Sequence, residues 1–162
     1  MATIEPSYGT IVALTVTNLH SLADASFWQS ASVDNNVDKA VWIEVFVTLQ
    51  TTTTAGSATG YANIYLAESP DGGTDFSGNA SGTEGSYAPA PSAGENSKNL
   101  RPLGQIAMKA DETTARTYRK NFVLAPFTVP KSYSIVIENR TGAALNSAGN
   151  AVEILKNKVT ST

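Results

Sequence analysis

The residues able to do chemistry are few and scattered. His20 is the one histidine of the chain, and there is no cysteine. A Ser–His–Asp arrangement would have to use His20, which sits in Asn-Leu-His-Ser-Leu with no Gly-x-Ser-x-Gly elbow anywhere in the sequence. A zinc site needs three or four nitrogen, sulfur or carboxylate ligands, and this composition does not supply them. Two acidic loops, Asp34-Asn-Asn-Val-Asp38 and Asp71-Gly-Gly-Thr-Asp75, invite a calcium test. Calcium takes six to eight oxygens, each loop offers two aspartates, and neither fits the twelve-residue EF-hand pattern. Asp and Asn also make turns by bonding their own backbone, and that is the reading taken. Glu44, between Trp42 and Phe46, is the best candidate for a glycosidase carboxylate, but a strand glutamate on a solvated face is far commoner. No Gly-x-x-x-x-Gly-Lys loop occurs. The expectation is therefore a protein without catalytic residues, metal or cofactor.

The elements that would position these side chains read as strands. Val41 to Gln50 alternates strictly: Val41, Ile43, Val45, Val47 and Leu49 point one way, and Trp42, Glu44, Phe46, Thr48 and Gln50 the other. The first set is a core face; the second needs a loop, a second sheet or a partner to cover Trp42 and Phe46. Further strands are expected at Ile11–Thr17, Ala25–Ala31, Tyr61–Ala67, Leu103–Lys109, Thr117–Leu124, Tyr133–Glu138 and Ala151–Val159. Asn18 to Ala23 is the place for a short helical turn. About eight strands punctuated by Gly, Pro, Asn and Ser predict an all-β, two-sheet antiparallel sandwich, a jelly roll rather than its nearest rival, the immunoglobulin-like sandwich. The 162 residues fit one domain, 1–162.

Two segments stand apart. Residues 1–9 read as an N-terminal arm, ordered by a neighbouring subunit. Residues 69–99 hold six of the twelve glycines and three of the seven prolines, with almost no aliphatic side chain. This Gly/Pro/Ser-rich insertion is expected to bury too little to offset its ordering entropy, with Tyr87 as an anchor that orders against a neighbour. The candidate partner-binding residues are accordingly Ile4, Tyr8, Trp42, Phe46 and Tyr87. The aromatic set Phe27, Trp28, Trp42, Tyr61 and Tyr65 is the alternative, a sugar-stacking platform.

The formal charge is −3, which argues against nucleic acid as a partner. Its distribution is uneven: ten acidic residues and one basic residue, Lys39, precede Lys98, whereas ten basic and four acidic residues lie from Lys98 onward. Either the two halves pair within one fold or oppositely charged faces meet between subunits. No stretch approaches the roughly 20 apolar residues that span a bilayer, and the opening residues lack the basic and apolar regions of a secretory signal, so no membrane partner is expected.

Several segments in order carry a resemblance: Leu19-His-Ser-Leu-Ala-Asp-Ala, Ser32-Val-Asp-Asn, the strand Val41 to Gln50, Ile64-Tyr-Leu-Ala-Glu-Ser-Pro-Asp-Gly-Gly, Ile137-Glu-Asn-Arg-Thr-Gly-Ala-Ala-Leu and Gly149-Asn. Together they resemble a family of small structural proteins of tailed bacteriophages, of the capsid decoration or cement type. The shared motifs are turns and strands. The resemblance implies a virion component assembled in the host cytoplasm and carried on the capsid exterior. It implies the major capsid protein as partner, and trimers at symmetry axes. A tail-fibre or baseplate module binding a receptor or carbohydrate is the alternative role.

Overall fold

The computed structural model describes residues 4–53, 56–88, 99–109, 114–126 and 128–161. Ten strands form among these described residues: β1 (Ile4–Ala13), β2 (Phe27–Gln29), β3 (Val33–Asp34), β4 (Trp42–Gln50), β5 (Tyr61–Ser69), β6 (Gly85–Tyr87), β7 (Arg101–Ala107), β8 (Thr117–Leu124), β9 (Ser132–Arg140) and β10 (Ala151–Ser161). A 3-10 turn at Thr17–Leu19 falls next to the expected helical turn.

One sheet has the order β1-β10-β4-β8 and the other β6-β2-β9-β5-β7, with β3 also on β9. All pairings are antiparallel. With the short β3 and β6 set aside, eight strands make one long ribbon of four successive pairs: β1 with β10, β2 with β9, β4 with β8, β5 with β7. Winding that ribbon drops alternate pairs into opposite sheets, which is the jelly roll. The immunoglobulin-like order is thereby excluded.

The core lies between the sheets. Ile43, Val45, Val47 and Leu49 of β4 are fully buried, as their alternation requires, and meet Ala62, Ile64 and Leu66 of β5 and Tyr133, Ile135 and Ile137 of β9. The ribbon also resolves the uneven charge. It pairs early strands with late ones, so Asp38 meets Lys156 and Lys158 at 2.8 and 3.1 Å, and Glu68 meets Arg101 at 3.1 Å.

Two expectations are corrected. Residues 4–9 are not a free arm: they are the first half of β1, in register with β10 from Ile4↔Ser161 to Tyr8↔Asn157. The pairing slips at Gly9–Thr10 and resumes at Ile11↔Leu155. Gly9 lies so close to β10 that a Cβ would overlap the Lys156 carbonyl.

The insertion is not structureless either. Its described part, 69–88 with 99–100, lies on the outer face of the second sheet. Phe76, Ala80, Tyr87 and Leu100 bury themselves there with Ala67 and Val136, forming a satellite core. Gly72 and Gly73 take positive φ in the turn after β5, and the Asp71 carboxylate accepts from the Ser69 hydroxyl and the Thr74 and Asp75 amides. Gln29 clamps the cover: its amide donates to Ser81 Oγ and the Thr83 carbonyl and accepts from Ser81 N. With this cover in place, β9 is buried on both faces from Ser132 to Asn139. Residues 89–98, with Pro89 and Pro91, fall outside the described residues.

Candidate functional site

The two sheets differ in what covers their outer faces. The second carries the 70–88 cover. The first has no such cover among the described residues, and its outer face is the candidate site.

Strand register assigns that face. Residues directly paired across antiparallel strands point to the same side, so Tyr8, Asn157 and Trp42 form one row, and Ile11, Leu155, Glu44 and Val123 the next. Towards the start of β1 lie Pro6 with Val159, and Ile4. Ile4 and Tyr8 are each 73% exposed, Val123 61%, Ile11 54% and Val159 42%. Single exposed apolar residues need no explanation, but a contiguous group on a flat sheet marks an interaction surface.

Beyond this apolar half lies a polar half that holds one ion pair and a carboxylate bonded to an amide. Arg119 Nη2 lies 3.2 Å from Glu153 Oε2, and its guanidinium sits 5.8 Å from the Phe46 ring centroid. Asn121 Nδ2 donates to Glu44 Oε2 at 3.0 Å.

One group on the face is not satisfied. The Tyr8 and Trp42 rings meet edge to face, centroids 6.4 Å apart, over the strand between them. Asn157, on that strand, is fully buried, and neither amide atom has a hydrogen-bond partner among the described residues. An unmet buried amide costs free energy.

Of the five expected partner residues, the structure brings Ile4, Tyr8, Trp42 and Phe46 onto this one face. Tyr87 is elsewhere: it is buried in the satellite core, edge to face with Phe27 at 5.8 Å, and its hydroxyl donates to the Gly78 carbonyl. Its reading as an anchor for a neighbour is replaced by an anchor for the chain's own cover. Asn157, Ile11, Val123 and Val159 were not singled out from sequence. The period-two run Ile4, Pro6, Tyr8 was the available signal for β1.

The aromatic platform is divided by the fold. Trp28 is fully buried, with Nε1 donating to Glu84 Oε1 at 2.8 Å, and Trp42 is on the opposite sheet from Tyr61 and Tyr65. The polar groups beside those tyrosines are occupied with each other: Glu138 accepts from Asn63 at 2.7 Å and Tyr65 at 3.1 Å and pairs with Arg140 at 2.6 Å. Burial, with Glu138 alongside, pushes the Tyr65 hydroxyl up to about 12.

The remaining chemical candidates lie apart. His20 Nδ1 faces Asn150 Nδ2 at 3.1 Å. Asp34 Oδ1 accepts from Asn36 N, closing a turn. The hydrogen bonds from Lys156 and Lys158 hold the Asp38 carboxyl below the usual carboxylate range. No group of three or more His, Asp and Glu side chains among the described residues is placed to hold a metal ion. A shallow cleft of about 500 Å³, flanked by Leu22, Phe27 and Tyr87, has no acidic, basic or histidine side chain in its wall.

Neither a family model nor a curated protein matches the sequence. Among solved structures, the chain is similar to murine APRIL at pH 5.0 (8% identity over 93% of this chain and 99% of that one, TM-score 0.46). It is also similar to an Eiger TNF from S. frugiperda (9%, 96% and 92%, 0.42) and to the CBM35 of Cellvibrio japonicus Abf62 (10%, 99% and 96%, 0.39). The jelly-roll assignment stands on strand order alone.

Proposed function

We propose that this chain is a non-enzymatic structural protein of a phage virion, a cement protein that stabilises the head by binding the major capsid protein lattice from outside. The observation that carries the reading is the contrast between the two outer faces: one closed by the chain's own cover, the other left apolar and bare. A sandwich that spends the described part of its insertion sealing one sheet, and leaves Ile4, Tyr8, Ile11 and Val123 exposed on the other, is built to pack against protein. The turn and strand motifs that resemble phage virion proteins support a capsid lattice as the protein it packs against. The mechanism is mass action: a protein that binds the assembled lattice but not its dissociated subunits shifts the equilibrium towards the lattice.

The test is a reconstruction of the virion whose genome encodes this chain. Density for the jelly roll on the outer head surface is expected. A head without it, or the chain found on the tail alone, overturns the capsid reading.

A further inference from the structure

We propose that one open end of the sandwich is a binding site for a small organic dicarboxylate. The inference goes beyond the cement reading and uses a different surface.

Register locates the site. The β3–β9 ladder runs on past Val33↔Tyr133 and Asp34↔Ser132 to Asn35, whose N donates to the Lys131 carbonyl at 2.8 Å. Asn35 and Lys131 therefore share the inward face with Val33 and Tyr133, one row nearer the end of the sheet. On the opposite sheet Val41, whose N donates to the Asn157 carbonyl at 2.8 Å, continues the core face of β4 one row beyond Ile43. Between these two rims lies a cleft of about 400 Å³, completed by Asn36, Lys39, Ala40 and Val129. That volume suits a small molecule, and the mouths of β-barrels are favoured places for one.

The wall is chemically uneven. Ala40, Val41 and Val129 give it an apolar floor, and Lys39 and Lys131 are its only charged residues. Neither ammonium has an ion pair or hydrogen bond among the described residues. The acidic side chains nearest in sequence are engaged elsewhere: Asp34 Oδ1 accepts from Asn36 N at 2.7 Å, and Asp38 holds Lys156 and Lys158 at 2.8 and 3.1 Å. The chain as a whole carries −3, so attraction for an anion at this cleft is local.

One residue fixes the backbone of both lysines. Buried Asn35 accepts from Lys39 N at 2.8 Å on its carbonyl, gives its own amide to the Lys131 carbonyl, and accepts from Ala40 N at 2.8 Å through its side chain. The turn so formed puts Lys39 at φ +49°, a region that side chains other than Asn, Asp and His seldom enter, and such strain gathers at functional sites. Two unpaired ammoniums on fixed backbones, across an apolar floor, fit a ligand with a carboxylate at each end and a short hydrocarbon body between. One row further in, the fully buried Tyr133 hydroxyl has no hydrogen-bond partner among the described residues, so the same end of the core also lacks an acceptor.

The experiment is an amide NMR titration of the full chain at neutral pH and constant ionic strength, with malonate, succinate, glutarate and adipate in turn. Shifts are expected at residues 35–41 and 129–131, with one chain length binding tightest and the shorter and longer ones falling off. Butyrate, with one carboxylate, and inorganic phosphate, with no hydrocarbon body, are expected to bind more weakly than that dicarboxylate. Lys39→Met and Lys131→Met keep the stem and remove the charge. Each is expected to weaken the tightest dicarboxylate by about two- to fivefold, the worth of one exposed ion pair, with the amide spectrum otherwise unchanged. The two variants are independent, and the chain-length series needs neither. Shifts scattered over all the lysines, affinity indifferent to chain length, or folded variants that bind as the wild type does overturn the inference. None of these outcomes bears on where the chain sits in a virion, so the cement reading stands or falls separately.

Discussion

Glu84 gives the sharpest test of whether the insertion is held as the structure has it. Its Oε1 accepts from Trp28 Nε1 and from Asn18 N, both at 2.8 Å, and its Oε2 from Asn18 Nδ2 at 2.7 Å. One carboxylate thus ties the cover to the first turn and to the largest side chain of the core. Hydrogen bonds to a charged group are worth about 1.5–3 kcal/mol each, and an orphaned buried donor costs about 1–3 kcal/mol. Water reaches the Asn18 donors once the carboxylate is gone, whereas the Trp28 indole is fully buried in the core between the sheets. Glu84→Ala is therefore expected to cost about 2–4 kcal/mol, well short of the sum of three bonds. Urea unfolding followed by tryptophan fluorescence measures it. The pH dependence is a second readout. Burial raises the Glu84 carboxyl, but the donors from Trp28 and Asn18 outweigh it, so its folded pKa lies below the ordinary 4.5. A depressed carboxylate stabilises fully above its unfolded pKa and loses that contribution as pH falls through the folded value. The stability gap between wild type and Glu84→Gln should accordingly be open at neutral pH and close in acid. A Glu84→Ala cost under about 0.5 kcal/mol, the range of an ordinary surface change, or a gap that does not narrow in acid, refutes the reasoning.

Three further outcomes follow from the same geometry. Phe76→Ala removes the largest apolar side chain that the cover contributes, and about 2–4 kcal/mol should be lost, with proteolytic cuts appearing first within residues 70–88 in a limited digest. Gly9→Ala puts a Cβ against the Lys156 carbonyl and should cost about 1–3 kcal/mol, read as a lower thermal midpoint. Asp38→Asn should cost less than about 1 kcal/mol despite losing two lysine contacts, because exposed pairs are screened and the Asp38 side chain is 38% exposed; its small effect should shrink further in high salt and, the carboxyl being depressed, in strong acid.

What the sequence revealed depends on how local each signal is. The β4 core face was legible because alternation is a property of one strand, and Thr117–Leu124 was legible to the residue. The start of β1 was not, because Pro6 argues against a strand interior. It is tolerated here because β1 is the last strand of its sheet, with no ladder on its outer side to break. The insertion was misjudged because its composition was weighed as if it had to form a core alone. Phe76, Ala80, Tyr87 and Leu100 need supply only one wall, since Ala67 and Val136 of the sheet supply the other. Asn157 was invisible for a stronger reason: it occupies an unremarkable polar position on β10. Its burial is made by Tyr8 and Trp42 from the two flanking strands, a relation that exists only once the register does.

Register also explains why an acidic first half and a basic second half do not produce sheets of a single sign. The jelly-roll ribbon pairs β1 with β10 and β4 with β8, so strands from the two halves of the chain become neighbours. Opposite charges far apart in sequence then sit within ion-pair distance, as Asp38 does with Lys156 and Glu68 with Arg101. Had the halves folded into separate layers, each sheet would carry one sign, and any partner of like charge would be repelled. Interleaving weakens that single-sign field and leaves apolar contact to dominate what this face binds. The same interleaving limits what salt can do. If this face docks on the capsid lattice, raising ionic strength should leave the dissociation constant nearly unchanged, because Arg119 is already paired with Glu153 within the face and Ile4, Tyr8, Ile11 and Val123 carry no charge. A dissociation constant that rises steeply with salt would mean that charges cross the interface, and that a surface other than this one holds the chain to the lattice.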